Sequence, residues 1–165
     1  MPIYKKGDKS VMSNYRPISI LPVISLIFER HVNLQFKAFL ENNMLLYDRQ
    51  SGFREKHSCQ TTLIRLVDDW ISAVDKKRSC RYLVVDRSKA FDLVNHSLLL
   101  QKLHYYGLHE SAVVWFRSYL NSRKQHVYVS GAYSDSGDVV SGVPQGSVLG
   151  PTLFLLYIND MSLSN

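Results

Sequence analysis

Two stretches of the chain hold residues able to do chemistry. In "YLVVDRSKAFDLVNH", residues 82–96, an apolar run ends on Asp86, and Phe91 and Asp92 follow at the fifth and sixth positions beyond it. A charged group is costly to bury and is usually paired or bound to a metal. Asp86 therefore has two local readings. It is a carboxylate held by a neighbouring Lys or Arg or capping the next turn, or it is a ligand for a hard divalent cation. Mg²⁺ prefers oxygen donors and needs few protein carboxylates where phosphates complete its shell. One aspartate does not make a metal site. Taken singly, Phe91 reads as core, Lys89 as solvated and Asp92 as an acid that stabilises the turn into a following helix.

The second stretch is "SGVPQGSVLGP", residues 141–151. Gly142, Gly146 and Gly150 allow positive φ or close approach of the backbone to another group. Pro144 stiffens the bend, and the Gln145 amide can donate and accept at once. The pattern serves a tight strand-to-helix connection, or a surface against which flat hydrogen-bonding groups lie. It is neither a P-loop nor a dinucleotide fingerprint. A third stretch, "NYRPISILP", sets Arg16 on a stiff extended segment downstream of Lys5, Lys6 and Lys9. A guanidinium suits bidentate phosphate binding; a solvated basic face is the plainer alternative.

The elements that must position these residues follow from pattern. Val23–Glu41 reads as a helix with a loose apolar stripe through Ile24, Ile27, Phe28, Phe36, Phe39 and Leu40. A polar loop around Gly52 leads to a helix over Thr61–Lys76, with Leu63, Leu66, Val67, Trp70, Ile71 and Val74 on one side and Ser58 as candidate N-cap. "RYLVVD" is short and rich in β-branched residues and reads as a buried strand. Asn95 caps a helix that stops before Gly107, and 110–121 is a further helix. "KQHVYVS" alternates as a strand does, with "GAYSDSG" as its turn. "TLFLLYIND" is apolar on nearly every side and reads as a buried helix.

The 165 residues suffice for one domain with a real core. The mixture of elements points to an α+β or α/β layer structure. A net charge of +6 fits a polyanionic partner without proving one. Cys59 and Cys80 match no metal or redox spacing and read as reduced thiols. No targeting signal and no membrane-length apolar run is present, which leads us to expect an intracellular, nuclear or cytoplasmic protein.

"KKGD", "NYRPISILP", "QSGFREKHS", "VVDRSKAFDLVNH" and "SGVPQGSVLGPTLFLLYIND" occur in one order. Together they resemble the reverse transcriptase domain of non-LTR (LINE-like, jockey or CR1-type) retrotransposons, over nearly the whole chain. A group II intron type is the nearest rival and fits "SKAFD" less well. The resemblance implies an α+β fold made of the fingers and a partial palm of a right-hand polymerase. Residues 1–80 would be fingers-like and 81–165 partial palm, with 94–141 a fingers-associated insertion. It implies RNA template, DNA primer and deoxynucleoside triphosphate as partners, and two Mg²⁺ ions for in-line attack of a primer 3′-hydroxyl on the α-phosphate. By the same resemblance Asp86 is the first catalytic aspartate and a ligand of both ions, and the Arg87 carbonyl helps hold one. The amides around Lys89 and Ala90 face the triphosphate, and Phe91 is the steric gate under the sugar. Gln145, followed by Gly146, lies against the nascent base pair. Arg16, with Lys9 beside it, clamps the triphosphate, and Arg54 lies near the template path.

The family's next motif, a Tyr/Phe-Ala-Asp-Asp turn, brings further carboxylates. The chain reaches "INDMSLSN" without it, and Asp160 in "YIND" is not its equivalent. The expectation is a polymerase fragment that does not polymerise alone, holds Mg²⁺ weakly and exposes strand edges and apolar helix faces. The alternative from another class is a non-catalytic nucleic-acid-binding remnant or domesticated module.

Overall fold

The computed structural model describes residues 2–81 and 84–162. Near the N-terminus, β1 (Pro2–Tyr4) pairs antiparallel with β2 (Tyr15–Pro17). Helix α1 spans Val23–Asn42, α2 Cys59–Asp75, α3 His96–Tyr105 and α4 Glu110–Leu120. A ribbon follows, built from β3 (Lys124–Gln125), β4 (Tyr128–Val129), β5 (Ala132–Tyr133) and β6 (Gly137–Asp138). Helix α5 (Gly150–Ile158) continues into a 3-10 turn, Asn159–Ser162. The class is mixed α and β, as expected. Among the described residues the strands form only two-stranded antiparallel pieces, β1 with β2, β3 with β6 and β4 with β5.

The helix ends follow their local chemistry. Ser58 Oγ accepts from the Thr61 amide at 3.2 Å, and Thr61 Oγ1 accepts from the Ser58 amide at 2.9 Å, a reciprocal capping box. Asn95 Oδ1 accepts from the Leu98 amide at 2.9 Å and starts α3. Gly107, at φ 82°, closes α3. The Leu108 amide reaches back to the Leu103 carbonyl and that of Gly107 to His104, the paired bonds of a Schellman end.

The core lies where α1, α3, α4 and α5 meet, and includes Phe36, Leu40, Leu99, Leu103, Phe116, Leu120, Leu153 and Leu156. Helix α1 differs from its expected stripe. Its buried positions are Glu29, Asn33, Phe36 and Leu40, a regular helical face whose first half is polar. Ile24, Ile27 and Phe28 stay exposed. The two polar residues are inside because α5 satisfies them: Thr152 Oγ1 donates to Asn33 Oδ1 at 2.7 Å, and Glu29 accepts backbone N–H groups just before α5. Helix α2 has the predicted amphipathic pattern but no buried residue, and its apolar side faces outward.

Two expectations are corrected. Residues 84–86, read as part of a buried strand, form none; Val84 and Val85 are 90% and 65% exposed. A strand needs a partner for its N–H and C=O groups, and no described strand lies alongside. Tyr82 and Leu83 fall outside the described residues. The run "KQHVYVS" is not one strand. It is split between β3 and β4, and the ribbon turns early, at Ser130 (φ 50°) and Gly131 (φ 85°). Two residues in the left-handed region suit a tight hairpin turn, and Val127 keeps the ribbon together across the split by exchanging bonds with Ser134.

Candidate functional site

Three segments separated in sequence meet here. In the first, Lys89 at φ 54° opens a turn whose carbonyl accepts from the amides of Asp92 and Leu93. This turn brings Phe91 and Asp92 onto the second segment, residues 141–146. The Val143 amide donates to the Phe91 carbonyl at 2.9 Å, and the Gly142 amide to the Val94 carbonyl at 2.8 Å. Ser141 Oγ donates to the Asp92 carbonyl at 3.1 Å, and Gln145 Nε2 donates to Asp92 Oδ1 at 3.0 Å. The buried His96 ring hydrogen-bonds the Gly142 carbonyl at 2.7 Å. The third segment enters through Ser19, whose amide donates to the Gln145 carbonyl at 2.7 Å.

The glycines explain the closeness. A Cβ on Gly142 would sit 2.8 Å from the Asp92 carbonyl oxygen, and one on Gly146 would sit 2.7 Å from that of Ser19. Both residues also have positive φ, 88° and 113°, so the backbone geometry and the space each call for glycine.

Phe91 is half-buried. Its ring stacks on Phe154 at 4.6 Å and meets Phe53 edge-on at 5.8 Å. Phe53 thus carries the "QSGFR" loop to this site. It is a contact that sequence reasoning missed, since a lone aromatic in a polar loop gives no direction. Arg54 beside it does not face solvent. Its guanidinium meets both oxygens of Glu41, at 3.1 and 2.8 Å, and the Tyr47 carbonyl, and its side chain is only 12% exposed. Arg54 straps the loop to the end of α1. Its hydrogen bond holds the Glu41 carboxyl below the usual carboxylate range, against the opposing effect of burial, and the Arg54 charge adds to the lowering.

The sign of that shift gives a pH prediction. The strap is at full strength above the ordinary glutamate value and is lost as pH falls through the lowered folded value. Denaturant midpoints taken between pH 6 and 3 should therefore fall less in Glu41→Gln than in the unaltered chain.

Arg16 and Lys9 share the β1–β2 hairpin and are exposed. Tyr15 Oη donates to the Lys9 carbonyl at 2.9 Å, and Lys9 Nζ lies 5.6 Å from the centre of the Tyr4 ring. Asp86, Arg87 and Lys89 are exposed and Ala90 is half-buried. Asp160 belongs to the turn after α5 and pairs with Lys102. Cys59 and Cys80 are free and exposed.

Glu29 is the buried polar residue that sequence reasoning passed over. One of its oxygens accepts from the amides of Val148 and Leu149, at 2.7 and 3.3 Å, and the other from Tyr119 Oη at 3.0 Å. A carboxylate at the start of a helix meets both its open N–H groups and its dipole. Tyr119 has its pKa raised, first by burial, with the Glu29 charge adding to the rise.

As a metal site the donor set is thin. The described residues contain no group of three or more His, Cys, Asp or Glu side chains able to hold a metal ion. Asp86 is a single exposed carboxylate, and a divalent cation held by the protein needs more oxygen donors than that. The described residues do not by themselves build the two-ion centre.

This geometry, one glycine-bearing segment closed at Gly142 onto the Phe91–Asp92 turn and at Gly146 onto Ser19, occurs in a chain that matches the reverse transcriptase (RNA-dependent DNA polymerase) family over residues 3–164, and the chain belongs to that family. Its likeness within it is to the non-LTR, LINE-like retrotransposon type. It is 39% identical, over 96% of its length, to the "Probable RNA-directed DNA polymerase from transposon X-element" of Drosophila melanogaster. It is 35% identical, over 99%, to that from transposon BS, and 34% identical, over 96%, to the "RNA-directed DNA polymerase from mobile element jockey", both of the same species. The chain spans 18%, 18% and 17% of these proteins respectively. Among the described residues, no helix is long and apolar enough to cross a membrane.

Proposed function

We propose that the chain forms the nucleotide-facing part of an RNA-directed DNA polymerase, fingers-like over 1–80 and partial palm over 81–165, with 94–141 associated with the fingers. The observation that carries this reading is the bond from Gln145 Nε2 to Asp92 Oδ1 beside Phe91. It ties the residue proposed to lie against the nascent base pair to the turn that presents the proposed sugar gate. Ser19, three residues beyond Arg16, is bonded to the same unit, and this supports reading Arg16 as a phosphate clamp that works beside it. The exposed Arg16 and Lys9 supply positive charge for triphosphate or backbone phosphates, and Asp86 is free to take part in an ion site completed by other groups.

The thin donor set leads to a second proposal, that this chain alone binds RNA–DNA duplex and nucleotide without polymerising. It also favours the rival reading, a nucleic-acid-binding module without chemistry. Both predict affinity for an RNA–DNA hybrid that falls with salt, through release of counterions. In fluorescence anisotropy titrations, Arg16→Ala should weaken binding and lower the slope of log K against log salt by about one, as for loss of one phosphate contact. Primer extension on poly(rA) with Mg²⁺ or Mn²⁺ should give no product. Robust incorporation would overturn the inactivity, and a salt-independent affinity unchanged by Arg16→Ala would overturn the binding.

A further inference from the structure

Phe53 holds a backbone conformation that its own side chain disfavours. Its φ is 61°, in the left-handed region that a bulky residue rarely enters. Gly52 beside it could enter that region freely and does not. Burial does not account for the choice, because Phe53 is 49% exposed. A residue kept in such a conformation costs free energy and persists only where its surroundings fix it. The surroundings do so on both sides. The Tyr47 amide donates to Asn159 Oδ1 at 2.8 Å, and Asn159 Nδ2 donates to the Leu45 carbonyl at 2.8 Å. The Arg54 guanidinium donates to the Tyr47 and Gln50 carbonyls at 3.1 and 3.4 Å, and the His57 ring meets Ser51 Oγ at 3.2 Å. The loop cannot relax without giving up these bonds.

What the strained position achieves is a contact with Phe91. The two rings are nearly perpendicular, at 85°, with centres 5.8 Å apart. Phe154 lies almost parallel to the Phe91 ring, at 19°. Both arrangements are favoured between aromatic rings, and together they hold Phe91 from two directions. A steric barrier discriminates only while it does not yield, since a ring free to swing aside makes room for one more hydroxyl. Building on the reading of Phe91 as the sugar gate, we propose that Phe53 is a positioning residue for that gate. It fixes the Phe91 ring, and so sets how strongly a ribonucleoside triphosphate is refused relative to its deoxy counterpart.

The test is competition against the photo-crosslink of a base-labelled deoxynucleoside triphosphate, held by the chain with an RNA template and DNA primer. The quantity read is the concentration of unlabelled ribonucleoside triphosphate that halves the crosslink, divided by that of the deoxynucleoside triphosphate. This ratio should be about ten in the unaltered chain, the size of one steric mismatch in a pocket, and should fall to parity in Phe91→Ala. Phe53→Leu should lower it about threefold, the worth of one aromatic pair, and Phe53→Tyr, which keeps the ring, should preserve it. Asparagine enters the left-handed region readily, so Phe53→Asn should have a higher urea midpoint than Phe53→Leu while its ratio falls as far. Added to Phe91→Ala, Phe53→Leu should change the ratio no further. A ring that only braced the loop would make the ratio follow stability instead. The proposal is overturned if Phe53→Leu and Phe53→Asn keep the full ratio while Phe91→Ala loses it. A ratio unmoved by Phe91→Ala, or no displaceable crosslink in the unaltered chain, would overturn the gate reading itself and this proposal with it.

Discussion

Gly142→Ala is expected to destabilise the protein by about 3 kcal/mol, from a strained positive φ together with overpacking. The added Cβ would meet atoms that cannot rotate away: the Asp92 carbonyl oxygen at 2.8 Å, Asp92 Cα at 2.9 Å and the Phe91 carbonyl oxygen at 3.0 Å. Relief requires the 141–146 segment to lift from the turn, and that breaks the Val143-to-Phe91 and Gly142-to-Val94 bonds. Gly107 provides the control. It too has positive φ, 82°, but nothing lies within 4 Å of its would-be Cβ, so Gly107→Ala should cost only about 1 kcal/mol. Urea midpoints of the two variants measure the difference. Equal losses would mean that the close approach of the two motifs contributes nothing beyond backbone strain.

Glu29→Leu is the second large effect. It removes the acceptor for Val148 N–H, Leu149 N–H and Tyr119 O–H at once and leaves donors unpaired inside the protein. The expected loss is about 3 kcal/mol. Glu29→Gln keeps the size and one oxygen but turns an NH₂ toward a donor, so it should fall between the two. Hydrogen exchange of the Val148 and Leu149 amides should quicken in both variants. A Glu29→Leu chain as stable as the original would show that the start of α5 is held by packing alone.

Much of the helical framework was legible because its signals are local. Ser58 and Asn95 stand where caps must stand, Gly107 stands where a left-handed residue closes α3, and the uniformly apolar run before Asn159 could only be buried. What failed depended on partners distant in sequence. The burial of Glu29 and Asn33 is decided by α5, more than a hundred residues away, while the exposed Ile24 and Ile27 looked like core. Val84 and Val85 have strand-forming side chains, but no strand among the described residues lies alongside to pair with them. The ribbon's alternation was real, but its turn was set by Ser130 and Gly131 rather than by the longer polar stretch that follows. At the candidate site, the glycines of "SGVPQG" announced a close approach without naming what approached. The structure supplies Asp92 and Ser19. Arg54 was expected near the template path, and the engagement of its guanidinium by Glu41 could not be read from either residue alone.

The central claim is that residues 84–92 and 141–146 line one nucleotide-facing surface. Its most direct test is photo-crosslinking of a base-labelled deoxynucleoside triphosphate, bound to the chain with an RNA template and DNA primer, followed by peptide mapping. The account predicts label in these two segments together, diminished in both by Gly142→Ala. Label confined to α2 or to the β3–β6 ribbon, and indifferent to that substitution, would contradict it.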